Sequence, residues 1–442
     1  PQPARPEPAG PQPGRTQPGS RELAPGPAAT GARRARRRSP NTLLGDWLLR
    51  FGHAARRWPW WTQVGLIYAG ARLVSWAIMA GVALHQGPNP WGPAAPDYQH
   101  FINFWDSSWY REVFTSGYPG TVPRNPAGTA LENPWAFYPL YPVLVRALAS
   151  VTALNWLVLA PAVSVLCGLA ATLVVYRLFR RFATTTTALW GVVFFVTFPV
   201  SPVLQIPYAE SLSLLLLAAA LLLLVRGQYL WAAPVVALMC LSRPVGLPFA
   251  ALVGAHLLLR LWQGWRGTRV VRRQELLRLG TLQLVSAVGA VAWPLIAWAA
   301  TGDMKAYTDT ETAWRGGELV LFKPWVTAGK QLLGPVLGPA APVLLVVLAA
   351  LYLNSRAVRQ LGTGMRLWCV AYFLYLLAFL QPQTSTFRML LPLFPLALAG
   401  ACLSRSRAFR VTVVVMFVLL QLVWVTWLWA WAPLPGGGDY PP

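Results

Sequence analysis

The stretch Phe104-Trp105-Asp106-Ser107-Ser108-Trp109-Tyr110 sets a lone carboxylate among aromatic rings. An acid in a partly dehydrated groove can take the proton of an attacking hydroxyl, or hold a divalent cation against a phosphate. Rings such as Trp105, Trp109, Tyr110 and, further on, Tyr138 can stack on a sugar or a polyprenyl chain. The competing reading is an interfacial aromatic belt with one solvated Asp. Glu132 follows as either a second base or sugar-hydroxyl partner, or an acid that merely tops a helix. Glu210, Arg243 and Arg388 each stand at or just inside the same end of an apolar run, where an unpaired charge is costly. Either they pair with one another and fix helix packing, or the two arginines grip a phosphate with their bidentate forks. Asp97 and Glu112 read as solvated, and His100, without an HxH or HExxH partner, does not make a metal site.

These residues need elements to position them. With 55% hydrophobic and 12% charged residues in 442, the chain reads as an all-α polytopic membrane protein. The net charge of +23 does not indicate nucleic acid, because the basic residues mark the ends of apolar runs. Apolar runs at roughly 62–84, 155–177, 186–201, 208–225, 280–300, 340–356, 366–381, 388–403 and 410–431, with a hairpin of 230–242 and 246–262 broken at Ser242-Arg243-Pro244, thread as about eleven transmembrane helices. Threaded this way, 28 Lys and Arg fall on the cytoplasmic side and 9 on the other, while ten of the 14 acids fall outside. The expected address is the cell membrane, with the N-terminus cytoplasmic and the chemistry on the outer face.

Residues 1–58, rich in Pro, Gly, Ala and Arg, are expected to be a disordered basic tail and juxtamembrane segment, not a signal peptide. The membrane domain spans 59–432, with a first outer loop at 85–134, an outer loop at 301–335 and an outer tail at 433–442. The segment 135–151 is expected to be a re-entrant or interfacial helix whose regular entry is disrupted by Pro139 and Pro142. The 301–335 loop reads either as a plain solvated loop or as a lid over an acceptor groove. Cys167, Cys240, Cys369 and Cys402, in or beside apolar runs without CxxC spacing, read as small core residues.

Several motifs recur in order along the chain: Trp105-Asp106-Ser107-Ser108-Trp109-Tyr110, Ser116-Gly117-Tyr118-Pro119, Glu132 ahead of Ala136-Phe137-Tyr138-Pro139-Leu140-Tyr141-Pro142, Pro207-Tyr208-Ala209-Glu210-Ser211, Ser242-Arg243-Pro244-Val245-Gly246, and Ser385-Thr386-Phe387-Arg388 leading to Leu391-Pro392-Leu393-Phe394-Pro395. Together these resemble the signatures of the PIG-V-like mannosyltransferases, integral membrane glycosyltransferases of the GT-C class. One departure is Phe104, which stands where that family usually has a basic residue. The resemblance implies a GT-C-like helical bundle that moves a mannosyl or other hexosyl group from a polyprenyl-phosphate sugar to an acceptor hydroxyl, with inversion. The acceptor would be a glycolipid, a lipid-linked sugar or a protein, with membrane lipids around the bundle. It further implies Asp106 as base or divalent-metal ligand, Glu132 beside it, and Glu210, Arg243 and Arg388 around the donor. A lipid or solute transporter is the alternative, and predicts charges near mid-helix and matching halves. A pseudoenzyme or assembly scaffold is a third reading.

Overall fold

The computed structural model describes residues 58–315 and 320–433, and the regular structure among them is helical. The basic segment 1–57, Glu318 and the tail from 434 lie outside the described residues. Helix α1 (Trp60–Ala83) starts after Pro59. The chain after it folds into α2 (Asp106–Ser116), a 3-10 turn at Pro134–Ala136 and α3 (Leu140–Thr152). Asn155 caps α4 (Trp156–Phe179) by accepting from the Val158 N–H, and Thr184 caps α5 (Thr185–Thr197) in the same way. A 3-10 turn at Ser201–Gln205 leads to α6 (Glu210–Val225), α7 (Tyr229–Cys240), α8 (Gly246–Trp265) and the 29-residue α9 (Arg273–Thr301). Beyond it come α10 (Ala306–Arg315), α11 (Lys323–Leu337), α12 (Ala340–Leu353) and α13 (Gly362–Phe379). A 3-10 stretch, Thr384–Leu393, bends into α14 (Pro395–Leu403), and α15 (Arg407–Val423) ends in a π-helical turn, Trp424–Trp429.

Five of these helices, α1, α4, α9, α13 and α15 with its π-helical extension, are long and apolar enough to cross a bilayer. There are seven if α11–α12 and the 384–403 pair, bent by 112° and 79°, each count as one span. The chain is thus a multi-pass membrane protein, but the eleven spans expected from the apolar runs are not eleven straight helices. Helices α5, α6 and α7 have 13, 16 and 12 residues. At 1.5 Å per residue they measure roughly 18–24 Å, short of the ~30 Å hydrocarbon core.

Three expectations need correction. Pro139 and Pro142 do not disrupt α3; they start it, as its N-cap and a first-turn residue, where no intrahelical N–H bond is lost. The 301–335 segment is no plain loop, since α10 and most of α11 lie within it. Arg72, one of the 28 basic residues counted on the cytoplasmic side together with the N-terminal arginines, is buried midway along α1. Its guanidinium donates to the Ser201 carbonyl, to Val196 O at 2.7 Å and to Ser201 Oγ at 3.1 Å, capping the end of α5 where carbonyls lack helical partners. Gln421 of α15 joins this knot by donating to Thr197 O at 2.8 Å and accepting from Ser75 at 2.9 Å.

Helix α6 lies at the centre, packed between α4 and α7. Its sequence is apolar all round, as suits a helix with no solvent or lipid face. Behind it α7 and the first residue of α8 pack on α9 through small residues: a Cβ on Gly246 or Gly289 would stand 2.8 Å or 2.7 Å from the buried Cys240 Sγ. Gly289→Leu is therefore expected to lower the thermal midpoint by overpacking, at a cost of about 1–3 kcal/mol. Adding Cys240→Ala should restore part of the loss; no recovery in thermal scans would show that this contact does not set the helix spacing.

Candidate active site

Each of the two most deeply placed acids opens a helix. Asp106 is the first residue of α2 and Glu210 the first of α6, so both face the positive end of a helix dipole. Trp105, just before Asp106, has φ 59° and ψ −130°, a conformation an L-residue adopts at a cost of order 1–3 kcal/mol. It is held by its indole N–H donating to Trp429 O at 2.7 Å, while the Asp106 N–H donates to Tyr208 Oη at 3.1 Å. Arg243 stands in the break between α7 and α8, and Arg388 in the 3-10 stretch before α14. Helix-breaking segments thus carry the cations and helix starts carry the acids.

The four groups form one chain of charges. Arg388 Nη2 lies 2.5 Å from Asp106 Oδ2, and its Nη1 lies 3.3 Å from Glu210 Oε1. Arg243 Nη1 reaches the same Glu210 oxygen at 2.7 Å. Arg388 also lies over the Tyr208 ring, 5.1 Å from its centroid, and Arg243 Nη2 is 3.1 Å from Met389 Sδ. Asp106, Glu210 and Arg388 are buried, and removing one member of such a set leaves an uncompensated charge costing about 3–5 kcal/mol. Two polar atoms keep hydrogen-bonding capacity: Glu210 Oε2 and Arg388 Nε are buried with no hydrogen-bond partner among the described residues.

All nine residues singled out in the sequence line one cavity of about 720 Å³: Asp106, Glu132, Trp105, Trp109, Tyr110, Tyr138, Glu210, Arg243 and Arg388. Glu132 stands at its exposed rim, while Trp105, Tyr110 and Tyr138 are buried in its wall. Burial raises the Tyr110 phenol well above its usual range, so it stays protonated as a donor. Asp97 and Glu112 lie exposed and away from this wall; Asp97 pairs with His100 at 2.8 Å.

Of the two readings of Glu210, Arg243 and Arg388, the geometry shows the pairing: Glu210 Oε1 meets both arginines. A metal fits less well. Among the described residues no three His, Cys, Asp or Glu side chains gather as a metal site, and the nearest group to the Asp106 carboxylate is a guanidinium.

Residues not singled out from sequence complete the cavity. Tyr208, outside the lining itself, supports both Asp106 and Arg388. From the 301–335 segment, Glu311 and Trp314 line the wall. Trp314 packs edge-on to Trp109 at 5.3 Å and to Phe137 at 5.6 Å, and Tyr307 Oη lies 3.3 Å from Tyr138 Oη. The spacing of Tyr307, Glu311 and Trp314 (i, i+4, i+7) was the available signal for one helical face. Phe104, by contrast, lies outside the cavity wall, stacked on Trp91 at 4.8 Å with 1% of its surface exposed. A cation there would be buried among rings.

Two further contacts hold helix α10 and the turn before it in place. Buried Asn133, next to Glu132, donates to Thr310 Oγ1 at 3.0 Å. At the surface, Arg124 Nη2 bridges Asp303 and Asp309, each at 2.7 Å. The Lys305 backbone N–H and then Arg124 hold the Asp303 carboxyl below its usual range. That support is present above the ordinary Asp pKa and is lost as pH falls through the lowered one.

No protein-family model and no curated protein sequence matches the chain. Among solved structures it is similar to an Archaeoglobus fulgidus oligosaccharyltransferase crystallised with zinc and sulfate, at 13% identity and TM-score 0.45, over 83% of this chain and 54% of the other. A second crystal structure of that oligosaccharyltransferase, tethered to an acceptor peptide containing the NVT sequon, matches at 12% identity and TM-score 0.39, over 81% and 54%. The chain spans about half the length of these archaeal proteins.

Surface ion pairs are worth at most ~1 kcal/mol, so Arg124→Ala should speed amide exchange across 302–310 at neutral pH by about fivefold or less while leaving α9 unchanged. Unaltered exchange in 302–310 would mean that Arg124 does not secure α10.

Proposed function

We propose that this protein is a GT-C-class membrane glycosyltransferase that moves a mannosyl or other hexosyl group from a polyprenyl-phosphate donor to an acceptor hydroxyl. The observation that carries the reading is the joint placement of a buried carboxylate, Asp106, and two arginines, Arg243 and Arg388, in one aromatic-walled cavity. Such a cavity offers a proton acceptor and a phosphate clamp within reach of one another. The ordered motifs that resemble the PIG-V-like mannosyltransferases support the sugar and the lipid carrier.

In the hypothesised reaction, the donor phosphate takes guanidinium N–H groups from Arg243 and Arg388. Arg388 then shares less of its charge with Asp106, whose carboxylate accepts the proton of the acceptor hydroxyl. That oxygen attacks the anomeric carbon from the face opposite the phosphate. The C1–O bond breaks and polyprenyl phosphate leaves with the electron pair, its charge met by the two arginines. Glu210 keeps the arginines in register, and its unpartnered Oε2 accepts from a sugar hydroxyl. Glu132 at the rim orients the acceptor, and Trp105, Trp109, Tyr110 and Tyr138 hold the sugar and the first isoprene units. This reading places the chemistry outside the cell membrane, on the support of the 28-to-9 charge asymmetry.

Labelled-sugar transfer from synthetic polyprenyl-phosphate mannose in proteoliposomes tests the reading. Asp106→Asn should lower turnover by about 100-fold or more, as expected for loss of a general base. Arg243→Lys keeps the charge but loses the fork, and should raise the apparent KM for the donor more than it lowers kcat. Undiminished transfer by Asp106→Asn would remove Asp106 from the chemistry. Lipid or solute flux without any sugar transfer would point to the transporter reading. Mass spectrometry of cell-envelope glycolipids with and without the protein would identify the acceptor.

A further inference from the structure

A second cavity, of about 570 Å³, lies at the other end of the helices that carry the first. Helix α6 begins at Glu210 in the first cavity and hands over to Arg226 in the second, about 24 Å away at 1.5 Å per residue. Helix α13 likewise contributes Thr363 and Gly364 to the second cavity and Tyr372 and Tyr375 to the first. The two cavities therefore occupy opposite ends of a shared set of helices.

The second cavity is strongly basic. Arg226 follows α6, Arg260 comes from α8, Arg269 from the α8–α9 connection, and Arg272 and Arg278 from the start of α9. Against these five cations stands one acid in the lining, Glu275. Its Oε1 is shared between Arg260 at 3.4 Å and Arg269 at 3.5 Å, both long for ion pairs. Basic residues that only set topology need to lie near helix ends; they need not converge on one concavity from four segments.

Two further observations point to a ligand. His256 lines the cavity with 7% of its surface exposed, and its Nδ1 has no hydrogen-bond partner among the described residues. Helix α9, 29 residues long, starts here without a side-chain cap, so first-turn N–H groups add to the positive field.

We propose that this cavity binds a phosphate group, either the headgroup of an anionic membrane lipid or a soluble phosphate of the same chemistry. Several guanidinium forks, an uncapped helix start and the buried His256 imidazole converge on it. The site is distinct from the Asp106 cavity and does not depend on the transferase reading.

The test uses the full chain purified in a neutral detergent. Binding of dioleoylphosphatidylglycerol is compared with dioleoylphosphatidylcholine by intact-complex mass spectrometry, and inorganic pyrophosphate is titrated in a thermal-shift assay. Selective retention of the anionic lipid identifies a membrane headgroup, and a saturable pyrophosphate shift without lipid identifies a soluble anion. In either case the double variant Arg260→Gln/Arg278→Gln should weaken binding by about tenfold or more, as loss of charge-assisted hydrogen bonds implies. Glu275→Gln, which removes the competing carboxylate, should tighten it, and this gain cannot arise from misfolding. The proposal is overturned if neither probe binds selectively, if the double variant binds like wild type, or if Glu275→Gln fails to tighten binding.

Discussion

The interaction on which the site depends is the shared carboxylate of Glu210, whose Oε1 meets both Arg243 and Arg388 in a buried setting. Two cations side by side in a low-dielectric interior repel strongly unless an acid lies between them. Glu210 supplies that acid from the first turn of α6, and Asp106 takes the other terminal nitrogen of Arg388. The acids are fixed by helix starts and the arginines by helix breaks, so four distant segments must come together for any of them to be stable. This couples the folding of α2, α6, the α7–α8 break and the 384–393 stretch.

The same pairing suits binding. A buried ion pair is rarely a net gain over well-packed apolar residues. What it provides is a charged group held in place with part of its hydrogen-bonding capacity unspent, as at Glu210 Oε2 and Arg388 Nε. The strained Trp105 belongs to the same pattern: it turns the chain so that Asp106 begins its helix facing Arg388, and Trp429, Tyr208 and Trp91 hold it there.

The helices have chemically different ends. One end gathers acids and two paired arginines beneath aromatic walls; the other gathers arginines in excess. Charge counting along the sequence already separated these residues into two groups, because charges are excluded from apolar spans and pile up where the spans stop. It could not reveal that each group converges on a cavity. Nor could it separate Arg72 from the basic N-terminal residues: a buried arginine satisfied by the backbone carbonyls of another helix looks, in one dimension, like any other arginine beside an apolar run.

Sequence by itself determined the chain's membrane character, the approximate places of its apolar helices, and a short set of polar residues too costly to leave in apolar runs without a reason. Those properties follow from local composition and from the price of burying charge. Tertiary structure decided the rest. It set which acid meets which arginine, that α10 brings Glu311 and Trp314 over the cavity, that Pro139 and Pro142 begin a helix, and that several apolar runs fold as short or bent helices. Each of these depends on contacts between residues far apart in the chain or on the geometry of a helix end. Residue 388 lies 178 positions from residue 210, and nothing local to either one specifies that they touch.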